Sequence, residues 1–327
     1  MAELCRVCCG SGKLLDEICP LCDGDPYFGE QPRSFFVFVL AGQSNMVGRG
    51  TTTELDEALL EFVHGHADVY MAYDIDKSAK EQSNTTSGQE FIHMGRETQW
   101  SDGGKCFSHG PEWGIAQRLI QRLNLGCVNC LSQNKPRIYF IKFAMGSTNL
   151  HEDWDPGGKY FCEFVNFTRT MLRRVRDLEW GMNAEAAVSR TIPSIDGMFW
   201  NQGDSDASGR AEMRESYETN FVRFVRRAWE TLAGAQSAFP FVALQLHWKV
   251  DESSKSTKKY RKNMEKVNEA IRKACGLLGN NARMVEIHPE LETSLSSMCH
   301  DDGHSATPAL LVEGRLFADA FVDAYFS

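Results

Sequence analysis

Continuous runs of apolar, aromatic and β-branched residues recur five times after residue 34. Such runs are typical of strands that are buried on both faces of a parallel sheet, whereas a half-exposed strand alternates apolar and polar positions. The five runs are 35–41 (FFVFVLA), 136–144, 195–200, 239–246 and 282–287. The pattern therefore predicts a five-stranded parallel sheet.

Helical segments are predicted between these runs. They lie at 111–123, which has proline in its first turn, at 211–232, at the charged segment 257–275, and from Thr307 onwards. Alternating strands and helices predict a three-layer α/β/α sandwich, in which binding and catalysis occur at the carboxyl ends of the strands. The polar stretch 74–104 is predicted to cross the surface near that rim.

The first 30 residues differ from the rest of the chain. They are rich in Cys, Gly, Asp and Pro and have no hydrophobic period. The sequence therefore predicts two units, a small cysteine-rich module at 1–30 and a large α/β domain at 34–327.

The composition limits the class of protein. With 42% hydrophobic and 24% charged residues in a chain of 327, a disordered or low-complexity protein is excluded. A net charge of −9 without a basic block argues against a nucleic-acid partner. Neither a secretory signal nor an apolar run long enough to cross a bilayer is found, so we expect an intracellular, cytoplasmic protein with no membrane partner.

A candidate nucleophile follows the first apolar run. The segment GQSNM (residues 42–46) places the hydroxyl of Ser44 just past a buried strand, at the edge of the sheet. A plain strand-to-loop turn is the alternative, because Gly, Ser and Asn are common in turns. Since Met46 occupies the final position, the segment is not the Gly-x-Ser-x-Gly nucleophile elbow of the α/β-hydrolases.

A candidate base lies near the other end of the chain. Asp301 and His304 are three residues apart in a loop just ahead of the last predicted helix. A carboxylate can fix the tautomer of a histidine whose other ring nitrogen faces a nucleophile, although a surface loop is the alternative. Asp302 competes with Asp301 for this role. If both loops leave the same edge of the sheet, the acid, the base and Ser44 converge.

Two further segments follow the second and third runs. The side-chain amide of Gln202 in WNQGDSD (200–206) can donate to an oxyanion, and Gly146 in AMGST (144–148) can present a bare N–H. Taken singly, each segment is equally typical of a turn or a helix cap.

Together, the four motifs resemble in order those of the sialate O-acetylesterase and carbohydrate esterase family 6-like branch of the SGNH hydrolases, over about 34–327. The resemblance implies a flavodoxin-like α/β/α sandwich that hydrolyses acetyl esters on sugars. Two departures are Asp204, where the family more often has Glu, and a single Gly146 where the family often has Gly-Gly-Thr. The roles implied are Ser44 as nucleophile, His304 as base with Asp301 as its partner, the N–H groups of Ser44 and Gly146 with the Gln202 side chain as oxyanion hole, and Asn45 and Asp204 in substrate binding.

Two Cys-x-x-Cys pairs lie in the first unit, each followed by glycine. Four thiolates are the ligands of a tetrahedral structural Zn²⁺ site, and the spacing resembles two repeats of the DnaJ cysteine-rich domain, enough for one ion. A thiol-rich tail or a redox pair is the alternative. The predicted ligands are Cys5, Cys8, Cys19 and Cys22.

The leading hypothesis is a serine esterase that needs no cofactor for catalysis and carries a structural zinc module. A closed four-cysteine site has no open position for substrate, so the module is expected to act in structure or in binding a protein partner. One alternative is a non-catalytic protein that binds acetylated sugar and is recruited through the module. Another is an SGNH esterase that acts on a lipid or another simple ester.

Overall fold

A computed structural model describes most of the chain. The described residues are 13–14, 17–18, 35–75, 88–98, 107–123, 125, 135–180, 192–233, 238–247, 255–288, 290–291, 294–295, 298–299 and 304–326. The cysteines of the predicted zinc site and the two candidate acids Asp301 and Asp302 lie outside them.

The described strands form one large sheet and two small two-stranded pairings. The bounds are β1 Lys13–Leu14, β2 Glu17–Ile18, β3 Phe35–Gly42, β4 Gly50–Thr51, β5 Asp68–Ile75, β6 Gly88–His93, β7 Ser108–His109, β8 Arg137–Ala144, β9 Gly197–Asn201, β10 Phe241–Leu244 and β11 Ala282–Val285. The large sheet has seven strands in the order β11-β10-β9-β3-β8-β5-β6. All neighbours in it are parallel except β6, which is antiparallel to β5.

The predicted number of five strands is wrong, although each predicted run contains a strand. The runs correspond to β3, β8, β9, β10 and β11, whereas β5 and β6 were not predicted. In β5 (DVYMAYDI) polar residues interrupt the apolar ones, and four of its eight residues are only half-buried. The antiparallel β6 lies within the stretch predicted to cross the surface, where an edge strand tolerates polar residues.

The helices cover both faces of this sheet. Their bounds are α1 Ser44–Val47, α2 Glu57–His66, α3 Glu112–Arg122, α4 Lys159–Trp180, α5 Asp204–Ser208, α6 Ala211–Glu215, α7 Tyr217–Leu232, α8 Lys255–Leu278 and α9 Thr307–Tyr325, with 3₁₀ turns at Thr52–Glu54 and Gly279–Asn281. The four predicted helical segments are confirmed, but the segment 211–232 is divided at Ser216 into α6 and α7. No described helix has the length and apolar character that crossing a membrane requires.

The side chains of β3 explain the three layers. Alternate residues of a strand point to opposite faces. Phe35, Val37, Val39 and Ala41 accordingly belong to one buried cluster, with α4, α7 and α8. The intervening residues of β3 belong to a second cluster, with α2, α3 and α9. The predicted α/β/α sandwich is confirmed because a strand that is apolar on both faces needs helices on both.

A buried ion pair beneath the carboxyl edge of the sheet contacts the end of α1. Lys142 of β8 is fully buried, and its Nζ donates to Glu112 Oε2 at 3.0 Å and to the carbonyl oxygen of Val47 at 2.9 Å. The other oxygen of Glu112 accepts the N–H of Gly110 at 2.8 Å. Burial lowers the pKa of Lys142, and the carboxylate of Glu112 opposes that shift. The pair therefore joins β8, the last turn of α1 and the start of α3.

We predict that Glu112→Ala destabilises the protein by about 3–5 kcal/mol, because the ammonium of Lys142 stays buried without the Glu112 counter-charge. The double variant Glu112→Leu, Lys142→Met removes both charges and is expected to lose less. Urea unfolding of the wild type and both variants measures the difference. A double variant as unstable as the single one would contradict this account.

Candidate active site

The register of the central strand sets the geometry of the site. Gly42, the last residue of β3, pairs with Ala144 of β8 and with Asn201 of β9. The three parallel strands therefore end at one level, and the segments after them leave the sheet at the same edge. Gly42 has a φ of +147°, and a Cβ there would lie 2.1 Å from the carbonyl oxygen of Asn201, so only glycine fits.

Ser44 begins the short helix α1 at this edge. The N–H of Gln43 donates to the carbonyl oxygen of Asn201 at 2.9 Å, and the side-chain Oε1 of Gln43 accepts the N–H of Gly203 at 3.1 Å. Gln43 and Asn45 are 3% and 7% exposed, whereas Ser44 between them is only half-buried. The turn is thus anchored by its buried neighbours and presents Ser44 to solvent.

A hydrogen bond joins the Ser44 turn to the loop of His304. The side-chain Oδ1 of Asn45 accepts the N–H of Ser305 at 3.2 Å, across 260 residues of sequence. The residue after Ser44 therefore holds the residue after His304, which is half-buried at the same edge. The structure brings these two predicted segments together, while the roles of Ser44 and His304 and the carboxylate partner of the histidine stay predictions.

Gln202 is buried within a hydrogen-bond network. Its Nε2 donates to the carbonyl oxygen of Thr148 at 2.9 Å and to Asp206 Oδ2 at 2.6 Å. Its Oε1 accepts the hydroxyl of Tyr217 at 3.0 Å, which fixes the orientation of the amide. Both amide hydrogens thus have acceptors, so donation to an oxyanion requires the exchange of one. The oxyanion role of Gln202 stays a prediction.

The segment of Gly146 turns sharply after β8. The N–H of Met145 donates to the carbonyl oxygen of Gly42 at 3.0 Å, and Thr148 Oγ1 donates back to the carbonyl oxygen of Met145 at 2.7 Å. Ser147 has a φ of +58°, which is uncommon for a residue with a side chain. Gly146 is half-buried in this turn, beside the segment that bears Ser44.

Two buried carboxyl groups, those of Asp204 and Asp206, follow Gln202 in the sequence. Burial raises the pKa of Asp206 to about 7, against the hydrogen bonds from Gln202 and from the N–H of Leu150. Burial likewise raises the pKa of Asp204 to about 6, against the attraction of His247 and a hydrogen bond from Tyr260. Asp204 Oδ2 is buried with no hydrogen-bond partner among the described residues. The protonation of this part of the site therefore changes near neutral pH.

Sequence reasoning gave no role to several of these residues. Asp206 ends the motif WNQGDSD, where nothing in the motif indicates its role, and His247 lacks the spacing of a metal ligand. The clearest signal available was Glu313, an acid on the apolar face of the last helix, which the structure buries completely.

Within the described part of the chain, no group of three or more His, Cys, Asp and Glu side chains is arranged to hold a metal ion.

The fold is an α/β fold with a mainly parallel seven-stranded sheet and helices on both faces. The family model described as carbohydrate esterase, sialic acid-specific acetylesterase, matches residues 34–323, and the chain belongs to this family. The protein is an enzyme, a hydrolase that acts on ester bonds.

Two solved structures share the fold. A protein from Arabidopsis thaliana has 17% sequence identity and a TM-score of 0.54, and the match covers 90% of this chain and 100% of that one. NanS has 13% identity and a TM-score of 0.53, with coverage of 89% and 98%. Identities this low show a common fold alone. No curated protein sequence matches the chain.

We predict a pH-dependent contribution of Asp206 to stability. Between about pH 4, the usual pKa of an aspartic acid, and about pH 7, the folded protein holds a proton on Asp206 that the unfolded chain has lost. This contribution is therefore complete below pH 4 and is lost as the pH rises to 7. In Asp206→Asn, which cannot ionise, stability is expected to fall less over this interval. Urea unfolding at several pH values measures both slopes, and identical slopes would contradict the prediction. Asp204 titrates in both proteins, so the difference between the slopes isolates Asp206.

Proposed function

We propose that this ester hydrolase removes O-acetyl groups from carbohydrate, with Ser44 as the nucleophile and His304 as the base. The observation that carries the proposal is the hydrogen bond from the N–H of Ser305 to Asn45, which ties the loop of His304 to the turn that exposes Ser44. The family match supports an acetyl ester on a sugar as the substrate.

The reaction proceeds by two acyl transfers. Ser44 Oγ attacks the ester carbonyl while His304 takes the hydroxyl proton, and the tetrahedral intermediate expels the sugar oxygen, which receives that proton. A water molecule then attacks the acetyl-enzyme and gives a proton to His304. Collapse of the second intermediate returns the proton to Ser44 and releases acetic acid, which ionises to acetate. Asp301 orients His304 throughout.

The oxyanion is bound by the N–H groups of Ser44 and Gly146 and by the amide of Gln202. For this step Gln202 exchanges one of its two buried acceptors for the oxyanion. Each such donor typically contributes a factor of about 10²–10³ to the rate. Asn45 and Asp204 contact the substrate.

A sugar ester suits this edge better than a lipid ester. The large hydrophobic side chains that are exposed on the described residues are scattered rather than grouped around the site, and they are Ile92, Leu178, Ile192 and Leu277. Ile192 precedes β9, and Leu277 lies near the end of α8 just ahead of β11, so both are on the amino-end side of the sheet. A lipid chain needs a contiguous apolar surface, which these residues do not form.

We also propose that the cysteine-rich module holds one structural Zn²⁺ through Cys5, Cys8, Cys19 and Cys22 and binds a protein partner. The spacing of the cysteines is the main support. The antiparallel pairing of β1 with β2 adds to it, because Lys13 lies opposite Ile18, so the chain reverses direction between the two cysteine pairs.

For catalysis, we predict that Ser44→Ala abolishes the release of acetate from a panel of acetylated glycans without changing the unfolding temperature. The matched control is Ser208→Ala, which removes an exposed hydroxyl from α5 and is expected to keep wild-type turnover. Turnover by Ser44→Ala would refute the nucleophile. Binding of an acetylated glycan by the wild type without release of acetate would favour the non-catalytic alternative. Preference for a lipid ester would change the proposed substrate class from carbohydrate to lipid.

For the module, we predict one zinc per chain by atomic emission, and a loss of that zinc in the double variant Cys5→Ser, Cys8→Ser. Hydrolysis is expected to continue in this variant and in the presence of a chelator, because a closed four-cysteine site has no open position for substrate. Cys162→Ser, which changes an exposed cysteine of α4, is the control. A wild-type chain without zinc would overturn the site.

A further inference from the structure

Glu313 is a fully buried acid in the last helix of the fold. Its neighbours on the same face of α9 are apolar or glycine, and they are buried as well. A carboxylate in such surroundings is costly unless hydrogen bonds satisfy it. The side chains that form hydrogen bonds with Glu313 therefore indicate its role in the structure.

Three side chains converge on this carboxylate. Ser305 Oγ donates to Oε1 at 2.5 Å, and His247 Nε2 lies 3.0 Å from the same oxygen. Asn201 Nδ2 donates to Oε2 at 3.3 Å. The partners come from three separate stretches of chain, 8, 66 and 112 residues away from Glu313.

Each partner is adjacent to the proposed chemistry. Ser305 follows His304, and Asn201 precedes Gln202 and pairs with Gly42 at the end of β3. His247 follows β10 and opposes the rise in the pKa of Asp204. The carboxylate of Glu313 is thus the common acceptor of the loops that bear the proposed base and the proposed amide donor.

Ser305 is held from two sides. Its N–H donates to Asn45, beside the proposed nucleophile, and its hydroxyl donates to Glu313. Two hydrogen bonds to rigid elements set both the position and the rotation of this residue. They therefore limit where the neighbouring ring of His304 can lie relative to Ser44.

We propose that Glu313 is a positioning residue, which holds Ser305 and thereby the ring of His304 in the geometry required for proton transfer from Ser44. The proposal rests on the function proposed above. Because the carboxylate contacts no reacting atom, its loss changes the alignment of the base and leaves the substrate contacts in place. A misplacement of about 1 Å can cost a factor of about 100 in rate.

Steady-state hydrolysis of 4-nitrophenyl acetate tests the proposal. Glu313→Met, which keeps the length of the side chain and removes both acceptors, is expected to lower kcat by about 10- to 100-fold with KM within about twofold. Glu313→Gln keeps one acceptor oxygen for Ser305 and is expected to recover most of kcat. Ser305→Ala removes only the hydroxyl, and its effect is expected to be much less than additive with that of Glu313→Met.

Trp229→Phe is the control for a loss of stability alone. It removes a buried hydrogen bond to the carbonyl oxygen of Phe239, which lies ahead of β10 and away from the carboxyl edge. Its kcat is expected to stay at the wild-type value even if its unfolding temperature falls. If Glu313→Met does not fold, Ser305→Ala alone carries the kinetic test.

The NMR spectrum of ¹⁵N-labelled histidine provides a readout that does not depend on turnover. The signal of the His304 ring, identified with His304→Gln, is expected to shift or broaden in Glu313→Met and in Ser305→Ala and to stay unchanged in Trp229→Phe. Unchanged kcat and an unchanged His304 signal in the folded Ser305 and Glu313 variants would overturn the positioning role. Failure of the proposed function is a different result, in which wild-type hydrolysis does not depend on Ser44.

Discussion

The register of β3 between its two parallel neighbours is the constraint on which the site depends. Gly42 stands opposite Ala144 on one side and Asn201 on the other, so three strands end together. After each of these strands the chain turns away from the sheet within two or three residues, and the three turns contain Ser44, Gly146 and Gln202. A shift of one strand by a single residue would reverse its buried faces, so the packing of the two cores protects this alignment.

Polar groups beneath the edge convert that alignment into a rigid arrangement. Gln43 binds the N–H of Gly203, Asn45 binds the N–H of Ser305, and Lys142 binds the carbonyl oxygen of Val47 at the other end of α1. Buried polar groups cost free energy when they are left unpaired, so each of these hydrogen bonds strongly disfavours alternative conformations of the turn. The candidate nucleophile is half-buried, whereas Gln43 and Asn45 on either side of it are buried.

The buried carboxyl groups around the site also need partners, and they differ in how far their partners satisfy them. Glu112 faces a lysine. Among the described residues, by contrast, Asp206 accepts only neutral donors and Asp204 has one oxygen without a hydrogen-bond partner. Burial therefore raises the pKa values of Asp204 and Asp206 towards neutrality. This part of the site combines a fixed framework with groups whose charge responds to pH.

The strands β3, β8, β9, β10 and β11 were predictable because central parallel strands are apolar without interruption. The strands β5 and β6 were not, since the outer part of a sheet is partly exposed and its sequence resembles that of a surface segment. Likewise, the serine and the histidine stand out by their motifs, whereas the position of Glu313 on an apolar helix face indicates a buried acid without indicating its partners.

The sequence by itself determined the class of fold, the order of the four motifs and the residues that bear the candidate chemistry, because buried strands and reactive side chains have local signatures. Only the tertiary structure decided which groups meet. Asn45, Gln202 and Glu313 have partners 260, 54 and 112 residues away in sequence, and these pairings depend on where the strands end and how the helices pack. Hydrogen bonds between such distant residues follow no period along the chain, so they become visible only when the sheet has brought its loops to one edge.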